Sequence, residues 1–420
     1  MLFYVLGLSV SPQPPVSVSL KFGQSGHFAC ELDSEKVALV RQGPHCCGDV
    51  SEAARQALQS PLDFPTLDKA VLEDDRIAIA LDRQTPGSPS IIAEIWKILA
   101  SRRVQPANVT IIQPAALSKL PEPDPRSLLP DDVRETITLK IHDPTNPASC
   151  GFLTKASTGE EVYLARDIID AGLVVLVGMT AFDPVLGIRG TSSVLYPGLS
   201  NVDAIRRSLG ISHQELTPSH SRPLRQLVDE IAWLMGIQFT VQVTPASNRE
   251  PFRIVAGNTE SVYEECKSEL HHNWFISMPE RVQTVVVAIT DDVAGHGWLQ
   301  LGAALNCAQR LVEVGGKIIV LSEIKEQPGD GIRLLRKFEH ADECMPALKE
   351  AMPLDFIPAA SLVTAARRAR IYLLSKLDPD TVEDAFMYPL ENENEALRLV
   401  NAASSIAFIG SAQHAFGIVD

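Results

Sequence analysis

The stretch "RIAIALDRQTPGSPSIIAEIWKILASRRVQPANVTIIQP" (Arg76–Pro114) decides the fold class. It opens with an apolar run of strand length (76–81) and continues through a turn (82–89). Isoleucines and a leucine then recur at helical spacing, and a second apolar strand closes the stretch (109–114). Strand, helix and strand in this order predict a βαβ unit with parallel pairing. The turn follows the carboxyl end of a strand, which is where open α/β sheets bind ligands.

The same alternation recurs along the chain, and a new α/β series begins at residue 282. A length of 420 residues exceeds what one hydrophobic core usually serves. We therefore predict an α/β protein with two domains and mainly parallel sheets. The predicted limits are a flexible lead-in (1–14), an N-terminal domain (15–255), a crossover helix (256–281) and a C-terminal domain (282–420).

Composition and charge narrow the function classes. The formal net charge is −15, with 45% hydrophobic and 21% charged residues. An acidic protein gains nothing from counterion release, so no nucleic-acid partner is expected. No run reaches membrane-span length, so no membrane partner is expected, and the apolar N-terminus lacks the basic flank of a signal peptide. Seven irregularly spaced cysteines favour a reducing, cytoplasmic location over a disulfide framework.

Two short motifs suggest ligand sites. "HCC" (His45–Cys47) is either a metal-binding fragment or a surface loop, and the missing spacer between its cysteines favours the loop. "GIRGTSSVLYPG" (Gly187–Gly198) follows an apolar strand, and its glycines and hydroxyls are typical of a phosphate-binding loop. The alternative is a tight turn without a ligand, because glycine motifs alone are weakly specific.

Several segments, in order, resemble the nickel-pincer lactate racemase family over nearly the whole chain, from about Val16 onward. They are listed here with their limits: "IALDRQTP" (Ile79–Pro86), "KIHDPTNP" (Lys140–Pro147), "STGEEVYLARDIIDAGLVVLVG" (Ser157–Gly178), "RPLRQLVDEIAWLMGIQFTVQV" (Arg222–Val243), "VAGNTESVYEE" (Val255–Glu265) and "LQLGAALNCAQRLVEVGGKIIVLSE" (Leu299–Glu323). The resemblance implies two α/β domains around a cleft and a nickel-pincer nucleotide as cofactor. It also implies hydride removal from, and return to, the α-carbon of a 2-hydroxy acid.

Two family positions carry over with suitable chemistry. Arg83 matches the family's substrate arginine, and a guanidinium suits a carboxylate or phosphate; its alternative role is a structural turn arginine. Gln300 matches a glutamine that faces the site in the second domain, the alternative being an exposed helical residue. Within the glycine loop, the resemblance places the cofactor against Gly187, Gly190, Thr191 and Ser193.

Other positions depart from the family. The lysine that tethers the cofactor falls on Ser193, which cannot form an amide or thioamide link. One catalytic histidine falls on Asp183, which is either a substitute base or a turn-capping residue before Pro184. A second falls on Ser118. The nickel-binding histidine falls on Ser208 or Leu209, and His213 or His220 can replace it only after a register shift.

For the remaining histidines, the sequence predicts only their place in the structure. His296 follows a strand of the second domain and is expected near the cleft. His271 and His272 are expected on an exposed helix face, and His142 and Asp143 in a stabilised turn.

Two functions remain open at this point. The first is a racemase or epimerase of a 2-hydroxy acid or sugar acid, an isomerase with altered cofactor attachment. The second is a non-catalytic scaffold that binds a nucleotide or an anionic small molecule. A nicotinamide-dependent oxidoreductase is disfavoured because no G-x-G-x-x-G follows the first strand. The residues give no indication of the oligomeric state.

Overall fold

The protein is described by a computed structural model of residues 14–116, 123–209, 216–292 and 296–420. In chain order, its strands are β1 (Val16–Phe22), β2 (Gly26–Leu32), β3 (Val37–Arg41), β4 (Ile77–Leu81), β5 (Val109–Gln113), β6 (Thr138–Ile141), β7 (Cys150–Lys155), β8 (Glu161–Ala165), β9 (Leu173–Met179), β10 (Ala181–Asp183), β11 (Gly187–Arg189), β12 (Phe239–Pro245), β13 (Pro251–Asn258), β14 (Phe275–Met278), β15 (Val282–Ala288), β16 (Val312–Leu321), β17 (Arg370–Leu374), β18 (Met387–Leu390), β19 (Ile406–Ile409) and β20 (Phe416–Val419). Its α-helices are α1 (Val50–Gln59), α2 (Ser88–Ser101), α3 (Asp131–Thr136), α4 (Arg166–Ile169), α5 (Val202–Leu209), α6 (Pro223–Leu234), α7 (Thr259–Trp274), α8 (Trp298–Leu311), α9 (Asp330–Leu335), α10 (Cys344–Ala351), α11 (Phe356–Arg368), α12 (Pro379–Glu383) and α13 (Glu393–Asn401).

The first unit is built on a six-stranded sheet in the order β13-β12-β9-β4-β5-β6. All its pairings are parallel except that of β12 with the edge strand β13. Every residue of β4 is buried, as expected for a strand covered on both faces. Helix α2 packs Ile91, Ile95 and Leu99 into the core on one side. The predicted βαβ unit and the α/β class are confirmed.

The second unit is built on a wholly parallel six-stranded sheet in the order β18-β17-β16-β15-β19-β3. Helices α8 and α11 cover one face and contribute to its largest core. The other face is covered by α13 and the β1–β2 hairpin. Burial on both faces explains why β15 and the last four residues of β16 are largely apolar.

The N-terminal segment differs from the predicted domain limits. Strand β3 pairs with β19 at the edge of the second sheet, and the β1–β2 hairpin packs on that sheet, although 15–255 had been assigned to the first domain. The limit at 255 also falls inside β13. Alternate residues of the hairpin are buried, including Val18, Leu20 and Phe28. This alternation predicts a strand with one buried face but does not specify which sheet covers it.

Helix α7 carries the chain from the first unit back to the second. At its end, the indole Nε1 of Trp274 donates to the Pro245 carbonyl oxygen at 3.0 Å. The Ser411 hydroxyl donates to the Ser247 carbonyl at 2.9 Å, which joins the units a second time. Within the described residues, no helix combines the length and apolar character that crossing a bilayer demands.

Candidate functional site

A small pocket of about 100 Å³ lies between the two units. The first unit contributes residues that follow the carboxyl ends of β4 and β9, and the second contributes α8, α11 and the segment after β19. This is the edge at which parallel sheets place ligands. The polar side chains of its wall are Gln84, Asp183, Arg189, Asp292, Gln300, Asn306, Ser361, Gln413 and His414.

Among the described residues, Arg189 is the only arginine or lysine in the pocket wall. It lies in β11, immediately before Gly190, and β11 pairs with β10 as a short hairpin. One terminal nitrogen of its guanidinium lies 3.5 Å from Asp82 Oδ2, and the other donates to Gln84 Oε1. The sequence prediction missed Arg189, although its position in "GIRG" was the available signal. The pairing with Asp82 and Gln84 fixes the guanidinium at the pocket wall.

Asp183 lies in the pocket wall, but one of its carboxylate oxygens is used by the turn that follows. Oδ1 accepts hydrogen bonds from the backbone N–H of Val185 at 2.8 Å and of Leu186 at 2.7 Å. This geometry corresponds to the turn-capping alternative stated for Asp183. The carboxylate adds negative charge to the pocket, as does the neighbouring Asp292.

Gln300 also lines the pocket, in the first turn of α8, where it is buried. Its Oε1 accepts the Gly297 N–H at 3.1 Å, so the side chain caps the helix. The Glu326 carboxylate occupies the same helix end and accepts the Trp298 N–H at 3.1 Å. An anion of the protein itself therefore occupies the N-terminus of α8, where a bound anion would otherwise be favoured.

Apart from Arg189, the residues of the glycine loop lie outside the pocket wall. Gly187 and Gly190 have φ of +78° and +137°, and a Cβ on Gly190 would lie 2.9 Å from the Thr180 hydroxyl. The Gly190 N–H donates to Ser193 Oγ at 2.8 Å. The Thr191 side chain is buried, and its hydroxyl accepts from Arg225 at 3.2 Å. The groups predicted to face a phosphate thus serve the loop itself.

Arg83 is directed away from the pocket. It is half-buried in the turn after β4, and its guanidinium donates to the Pro114 carbonyl oxygen at 3.4 Å, at the end of β5. It is not part of the wall that contains Asp183 and Gln300. The structure therefore brings Asp183 and Gln300 together with Arg189. It leaves outside the pocket Arg83 and the predicted loop residues Gly187, Gly190, Thr191 and Ser193.

His414 is the imidazole of the pocket wall within the described residues, and the sequence prediction did not include it. Its ring packs against Trp274 with centroids 5.2 Å apart. Burial lowers the pKa of His414, the positive charge of Arg189 lowers it further, and Asp292 opposes both effects. The imidazole is therefore neutral at neutral pH. The sequence shows this histidine shortly after the apolar run of β19, but it belongs to no recognisable motif.

The other histidines in the described part of the chain lie outside this pocket. His296 Nε2 accepts the Glu323 N–H at 3.1 Å, and burial lowers the pKa of this histidine. His271 packs half-buried against Phe182, and burial lowers its pKa too, whereas the neighbouring His272 is exposed as predicted.

His142 and Asp143 form hydrogen bonds within their turn or to a neighbouring loop. His142 Nε2 lies 2.8 Å from the Ser200 carbonyl oxygen, and Asp143 accepts from the N–H and hydroxyl of Thr145. The sulfur of Cys150 also lies close to His142. His142 and Asp143 thus stabilise a turn, as the sequence analysis proposed.

At the positions of the family's nickel-binding histidine, and at the histidine close to them, the side chains are apolar or already form hydrogen bonds within the protein. The Ser208 hydroxyl donates to the Ala204 carbonyl, Leu209 is apolar, and His220 Nδ1 accepts the Thr217 N–H at 3.2 Å. Ser118, His213 and residues 1–13 of the lead-in lie outside the described residues. Across the described part of the chain, no three His, Cys, Asp or Glu side chains form a group able to hold a metal ion, and this includes the surroundings of His45–Cys47.

Comparison with known proteins agrees with the fold. The chain is similar to the lactate racemase apoprotein of Thermoanaerobacterium thermosaccharolyticum, with a TM-score of 0.78, 16% identity and coverage of 96% of this chain and 100% of that one. It is also similar to a protein from Thermotoga maritima, with a TM-score of 0.67, 10% identity and coverage of 90% and 100%. No curated protein matches the sequence significantly. The family model for the lactate racemase N-terminal domain matches residues 22–219. Residues 22–219 therefore resemble the lactate racemase N-terminal domain family, and the chain shares the fold of the lactate racemase apoprotein.

Proposed function

We propose that this protein is a lactate racemase homologue that binds a small hydroxy acid between its two units without the tethered nickel cofactor. The proposal rests on the identity and the hydrogen bond of Ser193. This residue stands where the resemblance places the tethering lysine, and its hydroxyl accepts a backbone hydrogen bond within its own loop. A serine hydroxyl has no amine with which to form the amide or thioamide link of the family's cofactor.

The residues around the loop do not fit that cofactor either. Imidazole and sulfur ligands suit nickel, whereas the position of the nickel-binding histidine here carries Ser208 or Leu209. The position of a catalytic histidine carries the turn-capping Asp183. The loop hydroxyl of Thr191 is used by Arg225. We therefore assign no chemical step to a nickel-pincer nucleotide, and the racemase alternative would require another hydride acceptor.

The pocket favours a ligand with one carboxylate and one or more hydroxyl groups. Arg189 supplies the cation for a carboxylate, held in place by Asp82 and Gln84. Asp183 and Asp292 supply acceptors for hydroxyl protons and oppose a second negative charge on the ligand. The volume of about 100 Å³ limits the ligand to a molecule of few atoms, such as a three-carbon hydroxy acid.

The experiment has two parts, carried out on the full chain. The first measures bound nickel, visible absorbance and the racemisation of D- and L-lactate, for which the expectation is no stoichiometric nickel, no colour and no turnover. The second titrates lactate calorimetrically into the protein and into Arg189→Met. We expect at least about tenfold weaker binding in the variant, because a charge-assisted pair contributes roughly 1.5–3 kcal/mol.

Arg206→Met is the matched control because Arg206 is an exposed residue of α5 and its loss changes the net charge equally. Stoichiometric nickel together with lactate turnover would contradict the absence of the cofactor. Equal lactate affinity in Arg189→Met and Arg206→Met would instead contradict the assigned pocket, so the two halves of the proposal fail separately.

A further inference from the structure

A second cavity borders the last three residues of β20, whose first residue lines the interdomain pocket. It is an open groove of about 560 Å³, bordered by the last turns of α8 and α11, by the end of β20 and by Leu216 and Thr217 of the first unit. Helix α8 thus lines the pocket with its N-terminal half and the groove with its C-terminal end. The resemblance to lactate racemase assigns nothing to this surface.

The groove is basic although the chain is acidic. Its wall contains Arg281, Arg310, Arg367 and Arg368, whereas the chain carries a formal net charge of −15. Asp342 is the carboxylate of the wall among the described residues, and it lies 2.6 Å from the Nε of Arg367. The wall therefore retains a net positive charge of about three after this pairing.

Helix geometry explains part of this cluster. Arg310, Arg367 and Arg368 lie in the last turns of their helices, where a positive side chain interacts favourably with the terminal carbonyl groups. Arg368 also donates from Nε and a terminal nitrogen to the Val312 carbonyl oxygen, at 3.1 and 3.0 Å. Arg281 has no such explanation, because it precedes β15 and belongs to no helix.

Arg281 and Arg368 repel each other across the groove. Burial lowers the pKa of Arg368, and the positive charge of Arg281 lowers it further. Two guanidinium groups that line one groove raise the free energy of the empty groove, and a bound anion between them would lower it. Arg281 is exposed and lies on a turn, so the chain could direct it elsewhere without loss of packing.

We propose that this groove binds a small phosphorylated anion, with Arg281 and Arg368 as its principal contacts. Guanidinium groups match phosphate oxygens in pairs, which favours phosphate over single-point anions. The volume lies within the usual range for small-molecule sites of roughly 300–1,000 Å³. Guanidinium groups from a turn and from two helix ends converge on one space, which suits a compact multivalent ligand better than an extended acidic peptide.

The probe is inorganic pyrophosphate, titrated calorimetrically into the full chain at low and moderate salt. We expect binding that weakens as salt increases, because exposed charges are screened. Arg281→Gln should weaken pyrophosphate binding at least about tenfold, since it removes a charge-assisted contact. Arg336→Gln, an exposed arginine at the end of α9, removes the same charge elsewhere and should leave binding unchanged.

Three results would overturn the proposal. These are no pyrophosphate binding at millimolar concentration, equal weakening in Arg281→Gln and Arg336→Gln, and tighter binding of an oligoglutamate peptide than of pyrophosphate. The last result would identify a peptide-docking surface instead. Because Arg281 is exposed, its variant is expected to keep the wild-type circular dichroism spectrum and thermal midpoint without anion, which separates lost binding from lost folding.

Discussion

Arg225 in α6 holds the glycine loop in place, and its replacement tests how that loop is stabilised. Its guanidinium is buried and donates to the Gly190 carbonyl oxygen at 3.1 Å and to the Thr191 hydroxyl at 3.2 Å. It also stacks on Tyr263, with its central carbon 4.2 Å from the ring centroid. The ion pair with Asp229 completes the contacts.

The magnitude of an Arg225→Met replacement follows from these contacts. Two charge-assisted hydrogen bonds to buried acceptors contribute about 1.5–3 kcal/mol each. The stacking on Tyr263 contributes about 1 kcal/mol. Asp229 is half-exposed, so its pair adds less than about 1 kcal/mol. Methionine retains part of the apolar packing, and we expect a net loss of about 3–5 kcal/mol in the free energy of unfolding.

Urea-induced unfolding, followed by tryptophan fluorescence, measures this loss. Asp229→Asn is the control, because it removes the exposed ion pair and leaves both loop contacts intact; its expected cost is less than about 1 kcal/mol. Since Gly190 follows Arg189 directly, Arg225→Met should also weaken lactate binding. A loss no larger than that of Asp229→Asn would refute the role assigned to Arg225.

Three further predictions concern stability. The lowered pKa of His414 means that the unfolded chain takes up its proton first, so the free energy of unfolding should fall as the pH drops below 6.5. His414→Asn should reduce this slope in urea titrations at several pH values, and the exposed His272→Asn should not. Glu326→Ala should cost about 1 kcal/mol and make sulfate raise the thermal midpoint, because the N-terminus of α8 becomes available to an external anion. Gly257→Ala should unfold the protein at markedly lower urea than Gly315→Ala, since both have positive φ but only the former places its Cβ within 2.3 Å of opposing backbone.

The sequence predicts most of the first unit because its signals are local. The run around β4 is apolar on both faces, and α2 shows one apolar stripe, so the βαβ unit follows from periodicity alone. The β1–β2 hairpin was also readable as strands. The sheet that covers the hairpin was not readable, because packing against strands that begin only at Val282, far along the chain, leaves no local pattern.

The pocket was predictable only in part, for a different reason. The edge of the sheet follows from topology, and Asp183 and Gln300 line the pocket at that edge. The direction of each side chain within a turn does not follow from topology. Arg83 and Arg189 both lie at strand ends of the first unit, yet Arg83 donates to Pro114 while Arg189 reaches Asp82 and the pocket.

The glycine loop shows that a sequence motif can keep its backbone shape without the side chain that performs its chemistry. Its glycines are required by backbone geometry: Gly187 and Gly190 have positive φ, and the space beside each is filled by neighbouring atoms. These requirements persist whether or not a cofactor is bound, because the loop must still turn beneath α6. Ser193 carries no such backbone requirement, and its hydroxyl stabilises the turn from the position where a lysine would extend. The loop can therefore keep its family shape after losing the tether, which is why the absence of lysine, rather than the presence of glycine, determines the function proposed for the pocket.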